Sequence, residues 1–358
     1  MVHVNWGRLG KAAIVGGGLA AGAVAAELGL IGGLILREAL KYPAPVQDGP
    51  DPLVRVPAKA PRSSVVGTPD GALLHVATMG DVDAADEVIV LIHGWTCNTS
   101  FWNPQFNHFA DSGRAVIAYD QRGHGLSEMG AIRPTMDLLG QDLQAVLEEM
   151  VPDGKRAVLI GHSMGGMTIM SWAAQFSAGM EEKISAIVLT STAAEDVVQR
   201  QQLVPELPAA LRPAEPLVEK AFVSSPVPLP ATGLSEKISH YVALGPVARQ
   251  AHVAFSHEQI AACSPKARGA WGSAMYTLDV VAGLERISVP TAVVVGTKDR
   301  LTGTDHAGEI AAVLRGNGVL HSYTEYPGAG HMVPIERAAA YNRLLDTVLG
   351  DVSEAVNS

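Results

Sequence analysis

Positive charge is what this chain has too little of to hold a nucleic acid. Its 26 Lys and Arg stand against 36 Asp and Glu, a formal net charge of -10 over 358 residues. No basic stripe and no interleaving of basic with aromatic residues offsets the repulsion that a phosphate backbone would meet. Nucleic acid is therefore excluded as a partner, and a neutral or apolar small molecule is expected. Cysteine is equally sparse. Cys97 and Cys263 pair only if the fold brings them together, and two cysteines in a chain this long neither demand nor exclude an oxidising compartment. No His, Cys, Asp and Glu residues have the spacing of a metal site and no internal repeat is present, so neither a metal nor another cofactor is expected.

What is present begins with an apolar amino terminus. Residues 12–36 are apolar or small except for Glu27, a run of roughly 25 residues or about 37 Å as a helix, enough to cross a bilayer. Gly18 and Gly22, like Gly29 and Gly33, have the small-xxx-small spacing with which membrane helices approach one another. The expectation is an apolar N-terminal helix within residues 1–41 that associates with a membrane through residues 12–36. Glu27 opposes this, at a cost of about 2.5–3.5 kcal/mol near the centre of a bilayer. The alternatives are a signal segment cleaved at Ala23-Val-Ala25, giving a secreted protein, and a helix packed on the protein itself. Arg8 and Lys11 before the run and Arg37 and Lys41 after it leave its orientation open.

Prolines at 43, 45, 50, 52, 57 and 61 exclude a regular helix and mark residues 42–64 as a linker. Strand-like apolar runs then recur at Ala72 to Thr78, Val88 to Ile92, Ala115 to Tyr119, Ala157 to Ile160 and Ala186 to Leu189. Between them, Asp137 to Met150 sets Leu138, Leu139, Leu143, Val146 and Leu147 near one helical face. The alternation resumes with a strand at Thr291 to Val295, a helix around Glu309 to Arg315, a strand at Leu320 to Tyr326 and a helix from Glu336 to Leu349. This βα rhythm predicts a mainly parallel, doubly wound α/β sheet in two parts, residues 65–194 and 285–351. Residues 195–284 break it with Pro, Ala and Leu and patches of helical periodicity. A structureless loop of that length does not suit a compact domain, so the stretch is expected to be a helical cap over the active site, with an insertion packed on the outside as the alternative.

The chemistry centres on Ala157-Val-Leu-Ile-Gly-His-Ser-Met-Gly-Gly166, where a strand-like run meets a G-x-S-x-G pentapeptide. Small residues at 161 and 165 permit a sharp strand-to-helix turn that exposes the hydroxyl of Ser163, a nucleophile elbow. Serine is a poor nucleophile at its own pKa. It needs a neutral imidazole within hydrogen-bond reach and a carboxylate to orient that imidazole. Among 12 histidines, His331 is favoured because Pro327-Gly-Ala-Gly-His-Met follows a strand and precedes a helix. His162 is expected to be structural, since neighbours on a tight elbow point in different directions, and His93 and His124 to tie loops together. Asp299 follows the buried run Thr291-Ala-Val-Val-Val-Gly-Thr-Lys298, with Asp120, Asp196 and Asp305 as competing carboxylates.

Taken in order, His93-Gly94-Trp95, Asp120-Gln-Arg-Gly-His-Gly-Leu-Ser127, the Ser163 elbow, Asp299 and His331 resemble the α/β-hydrolase fold family in its serine-nucleophile, esterase- or lipase-like form. The resemblance spans about residues 65–194 and 285–350. It implies a triad of Ser163, Asp299 and His331, and an oxyanion hole made by the N–H groups of Trp95 and Met164. The rings of Trp95, Phe101 and Trp102 are either an apolar acyl pocket or ordinary packing. A serine at the elbow excludes the alkyl-enzyme route of related epoxide hydrolases and dehalogenases, which need aspartate there. The expected activity is hydrolysis of esters of apolar acyl groups through an acyl-serine. A cofactor-free haloperoxidase or perhydrolase, a C–C bond hydrolase, a proline-type aminopeptidase and a non-catalytic ligand receptor are the alternatives.

Overall fold

The computed structural model describes residues 29, 32–203, 220, 223–226 and 232–357. Its strands are β1 (Arg62–Gly67), β2 (Leu73–Met79), β3 (Glu87–Ile92), β4 (Ala115–Tyr119), β5 (Arg156–His162), β6 (Ile184–Thr190), β7 (Thr291–Gly296) and β8 (Leu320–Tyr326). They form one sheet in the order β1-β2-β4-β3-β5-β6-β7-β8, with β2 antiparallel to both of its neighbours and the remaining pairs parallel. Residues of the central strands are buried on both sides and alternate between two cores. Val88, Val90 and Ile92 join one with Ile117, Leu159 and Val293, while Ile89 and Leu91 join the other with Val116, Ile160 and Val294. That two-sided burial is why these runs read as continuously apolar. The sheet is the α/β-hydrolase fold.

The strand order turns at β3, whose partners are β4 on one side and β5 on the other. In an open parallel sheet such a switch point leaves a crevice at the carboxyl ends of the strands, where ligands bind. The loops after β3 and β5 both open there.

The helices are α1 (residues 32–41), α2 (Asn103–Phe109), α3 (Met136–Met150), α4 (Met164–Phe176), α5 (Met180–Lys183), α6 (Gly233–Ala243), α7 (Gln250–Ala262), α8 (Pro265–Met275), α9 (Val281–Leu284), α10 (Thr304–Gly316), α11 (Val333–Glu336) and α12 (Ala338–Asn357). Helix α3 begins at a Thr135 side chain that accepts from the N–H of Leu138, and it buries Leu138, Leu139, Leu143 and Val146. Among the described residues, helices α6 to α9 lie between β6 and β7.

The membrane anchor expected over residues 12–36 is corrected. Among the described residues, no helix is long and apolar enough to cross a membrane. Residues 12–28, 30 and 31 of the run, with the suggested cleavage at Ala25, lie outside the described residues. The part that is described begins α1, and its apolar side faces protein. Ile35 and Ala39 pack with Leu203 and Tyr241, the latter on α6. The proline-rich stretch likewise follows the domain surface. The Val46 N–H donates to the Ala248 carbonyl at 2.9 Å, and Asp51 accepts from Arg249 at 2.6 Å and pairs with His252 at 2.9 Å. Strand β1 then starts within the stretch expected to be linker. Its side chains are exposed except at Val66, which leaves little apolar pattern to read.

Candidate active site

Ser163 stands between β5 and α4 with φ 53° and ψ −119°. A non-glycine residue with positive φ carries strain of about 1–3 kcal/mol, which the surroundings must hold. They do so through backbone. The Ser163 N–H donates to the Thr190 carbonyl at 2.9 Å, and the Ser163 carbonyl accepts from the Thr192 hydroxyl at 2.8 Å. Glycine is required on either side: a Cβ on Gly161 would lie 2.7 Å from the Gly165 carbonyl, and one on Gly165 would overlap the Ile92 carbonyl. The serine is 8% exposed, at the carboxyl end of β5 beside the β3 loop.

His331 follows β8 and Asp299 follows β7, the two strands next along the same edge after β6. Their side chains meet, with His331 Nδ1 2.9 Å from Asp299 Oδ2. Asp299 is also gripped by its own loop, where Oδ1 accepts from the N–H of Leu301 at 2.9 Å and of Thr302 at 3.0 Å, and Oδ2 accepts from the Thr302 hydroxyl at 3.0 Å. Burial raises the pKa of this carboxyl, but the His331 ring and the Thr302 and Leu301 N–H groups outweigh it and hold the group below the usual carboxylate value. An ionised carboxylate only accepts, so the shared proton sits on His331 Nδ1 and leaves Nε2 as the imidazole's acceptor.

His162 joins the elbow to the His331 loop. Its ring stacks on Phe101 with centroids 4.6 Å apart and lies 4.8 Å from the His331 ring. Burial, with the neighbouring His331, pushes its pKa down to about 3. It is therefore neutral, and its Nε2–H donates to the His331 carbonyl at 3.0 Å. His93 ties the β3 and β4 loops, donating from Nδ1 to the Gly94 carbonyl at 2.8 Å and accepting at Nε2 from the Gln121 N–H at 2.9 Å. His124 contacts the Arg122 carbonyl at 3.1 Å. Asp120 closes its turn by accepting from the N–H groups of Leu126 and Thr99 and pairing with His75, so it is not free to orient another imidazole.

The three aromatics expected at a pocket separate. Phe101 and Trp102 are fully buried in the core, and Phe101 is occupied by His162, so these two do not offer a face to a ligand. Only Trp95 is partly exposed. Its indole N–H donates to the Arg268 carbonyl of α8 at 3.0 Å. The N–H of Met164 is the first of α4, a position with no intrahelical acceptor. Gly94 lies directly against Ser163, which brings the Trp95 peptide to the same place.

Helices α6 to α8 are tied to the loops that carry these residues. The His331 N–H donates to the Ala243 carbonyl at 2.8 Å, Trp271 Nε1 to the Arg122 carbonyl at 2.7 Å, and Gln259 to the Ser100 hydroxyl at 3.0 Å. Thr302 and Glu336 are site residues that the sequence did not single out. Thr302 stands three residues past Asp299, a capping-like spacing that is a usable signal. Among the described residues, no group of three or more His, Cys, Asp and Glu is placed to hold a metal ion. Cys97 and Cys263 are both buried free thiols.

Similarity to known proteins agrees with this geometry. Residues 83–338 match the hydrolase family described as serine aminopeptidase, S33. Over 291 residues the chain is 28% identical to 3-oxoadipate enol-lactonase 2 of Acinetobacter baylyi, covering 79% of this chain and 95% of that protein. Over 292 residues it is 26% identical to the bifunctional esterase/perhydrolase DCH of Acinetobacter calcoaceticus, covering 78% and 96%. The solved structure of a thermophilic esterase from Thermogutta terrifontis superimposes with a TM-score of 0.63 at 20% identity, over 81% of this chain and 99% of that one, a likeness of fold. The chain belongs to the serine aminopeptidase S33 family of α/β-hydrolases.

Proposed function

We propose that the protein is a serine hydrolase that cleaves carboxylic esters, cyclic esters included, of apolar acyl groups through an acyl-serine intermediate. The observation that carries this is a strained Ser163 at the carboxyl end of β5 with a His331–Asp299 pair on the same edge of the sheet. His331 Nε2 takes the proton of Ser163 as Oγ attacks the acyl carbon, while Asp299 holds the ring in the required tautomer. The N–H groups of Met164 and Trp95 receive the developing oxyanion, being fixed before the charge forms. Collapse expels the alcohol, which takes the proton from His331. A water molecule then attacks the acyl carbon as it gives a proton to the same nitrogen, and collapse breaks the bond to Ser163 Oγ, which takes that proton back as the acid leaves. Residues 195–284 act as a cap that selects the acyl chain, with Trp95 lining its inner side.

Relatives described as an enol-lactonase and as an esterase/perhydrolase support ester-type acyl transfer over peptide cleavage. The second of these favours one further reading, in which hydrogen peroxide replaces water in the deacylation step. Rates over p-nitrophenyl esters of increasing chain length, an enol lactone and a p-nitroanilide test the proposal, with peroxide added in a second series. Turnover of esters and lactone with a much slower anilide is expected. Preference for the anilide overturns the ester assignment.

A further inference from the structure

The ester mechanism leaves one buried carboxylate beside the base unused. Glu336 ends α11, five residues beyond His331, and is 6% exposed. Its Oε1 accepts from the Gly330 N–H at 2.8 Å and its Oε2 from the Gly245 N–H at 2.9 Å. Gly330 immediately precedes His331. Gly245 belongs to the turn that follows α6, where the Ala243 carbonyl accepts from the N–H of His331 at 2.8 Å and of Met332 at 3.3 Å. The two loops interlock at backbone distance: a Cβ on Gly330 would overlap Leu244, and one on Gly245 would overlap the Gly328 carbonyl. One side chain thus joins the base loop and the cap.

Both Glu336 oxygens face N–H groups, which cannot accept a proton. Ionised, the carboxylate is satisfied twice; protonated, it must aim an O–H at a donor and give up one of the two bonds. Burial, with the Asp299 charge, raises its pKa to about 7 against the lowering effect of the Gly245 and Gly330 N–H groups and Arg337. The charged and titratable neighbours are few. Arg337 donates to the Glu336 and Pro327 carbonyls. His240 of α6 binds the Gly245 carbonyl at 3.1 Å, and Tyr42 donates to the Leu244 carbonyl at 3.0 Å. Asp299 and His331 complete the surroundings.

We infer that Glu336 is a positioning residue whose carboxylate staples the His331 loop to the cap turn, so that neutralising it loosens base and cap together. Its kinetic readout rests on the serine-hydrolase reading, and its structural readout does not. In the full-length, 15N-labelled protein the amide resonances of Gly245 and Gly330 should move together between pH 5 and 9 with one midpoint near pH 7, a movement absent from Glu336→Gln. With p-nitrophenyl butyrate at pH 8, Glu336→Gln should lose about tenfold in kcat with a smaller change in KM. The acid limb of its log(kcat/KM) profile should lack the extra fall of about tenfold that protonation of Glu336 adds near pH 7 in the wild type. Glu336→Asp keeps the charge but not the reach, and should fall between the two. Amide shifts that ignore pH, or a Glu336→Gln enzyme that loses only thermal stability and keeps the wild-type profile, overturn the inference. Should ester turnover survive Ser163→Ala, the reading of the reaction fails, while the amide titration still decides the role of Glu336.

Discussion

Gly94 lies so close to Ser163 that a Cβ built on it would stand 3.1 Å from the Ser163 Cβ. The same atom would be 2.8 Å from Nδ1 of His162, whose opposite nitrogen holds the His331 carbonyl. Gly94→Ala should therefore displace nucleophile and base together. A displacement near 1 Å costs about 10²-fold in rate. We expect that loss in kcat/KM for a small ester, with thermal unfolding little changed; activity within about twofold of wild type would show that the loop has room to yield.

Phe101 and Trp95 should respond differently. Phe101 is fully buried against His162, so Phe101→Ala is expected to cost about 3–5 kcal/mol in urea unfolding, as large aromatic truncations in cores do. Trp95 is only partly buried and bonds to α8, so Trp95→Ala should change relative rates among ester chain lengths more than it changes stability. The reverse pattern would put Phe101, not Trp95, on the ligand.

These aromatics mark a limit of the sequence. Strand β4 is legible residue for residue because Ala115–Tyr119 is apolar throughout and ends at Asp120, and β8 because Leu320–Tyr326 is bounded by Gly318 and Pro327. Strand β1 is not, since only Val66 of it is buried. The apolar amino terminus suggested a membrane span by length alone, but length cannot distinguish lipid from a neighbouring helix, and the described part rests on α6. At the site, local motifs announce Ser163, Asp299 and His331. Which side of the β3 loop Phe101 faces depends on His162, far along the chain. Glu336 was illegible for the same reason: its second partner, Gly245, is 91 residues away.

Asp299 sets an expectation for pH. Its folded-state pKa is depressed below 3.8, so the stabilisation it provides is fully present above that value and is lost as pH falls through the depressed one. Across pH 5–9 it stays ionised. The ionisation of Asp299 should therefore contribute nothing to the activity profile in that range, while Asp299→Asn, which leaves the imidazole in the wrong tautomer, should lower kcat by about 10⁴. Stopped-flow ester hydrolysis over that range checks both statements, and a loss below tenfold would assign the orienting role to another carboxylate.

The packing of α1 makes a further expectation. The Arg300 guanidinium lies 4.7 Å from the Tyr42 ring and 4.6 Å from the Tyr241 ring, next to Asp299, and Ile35 is 3% exposed. A chain beginning at Val46 keeps the Asp51 contacts and should still fold and turn over a small ester. It should lose about 2–4 kcal/mol, the scale of one or two buried apolar side chains. Urea unfolding of both forms reads this directly, and equal midpoints would mean that α1 contributes no stability.

The central claim is that Ser163 carries the acyl group. Treating the protein with a fluorophosphonate at neutral pH, then digesting it and sequencing the labelled peptide by mass spectrometry, tests this most directly. The account predicts one adduct, on Ser163, formed together with loss of ester hydrolysis, and no adduct in Ser163→Ala. A label on any other residue, or ester turnover that survives complete labelling of Ser163, would contradict it.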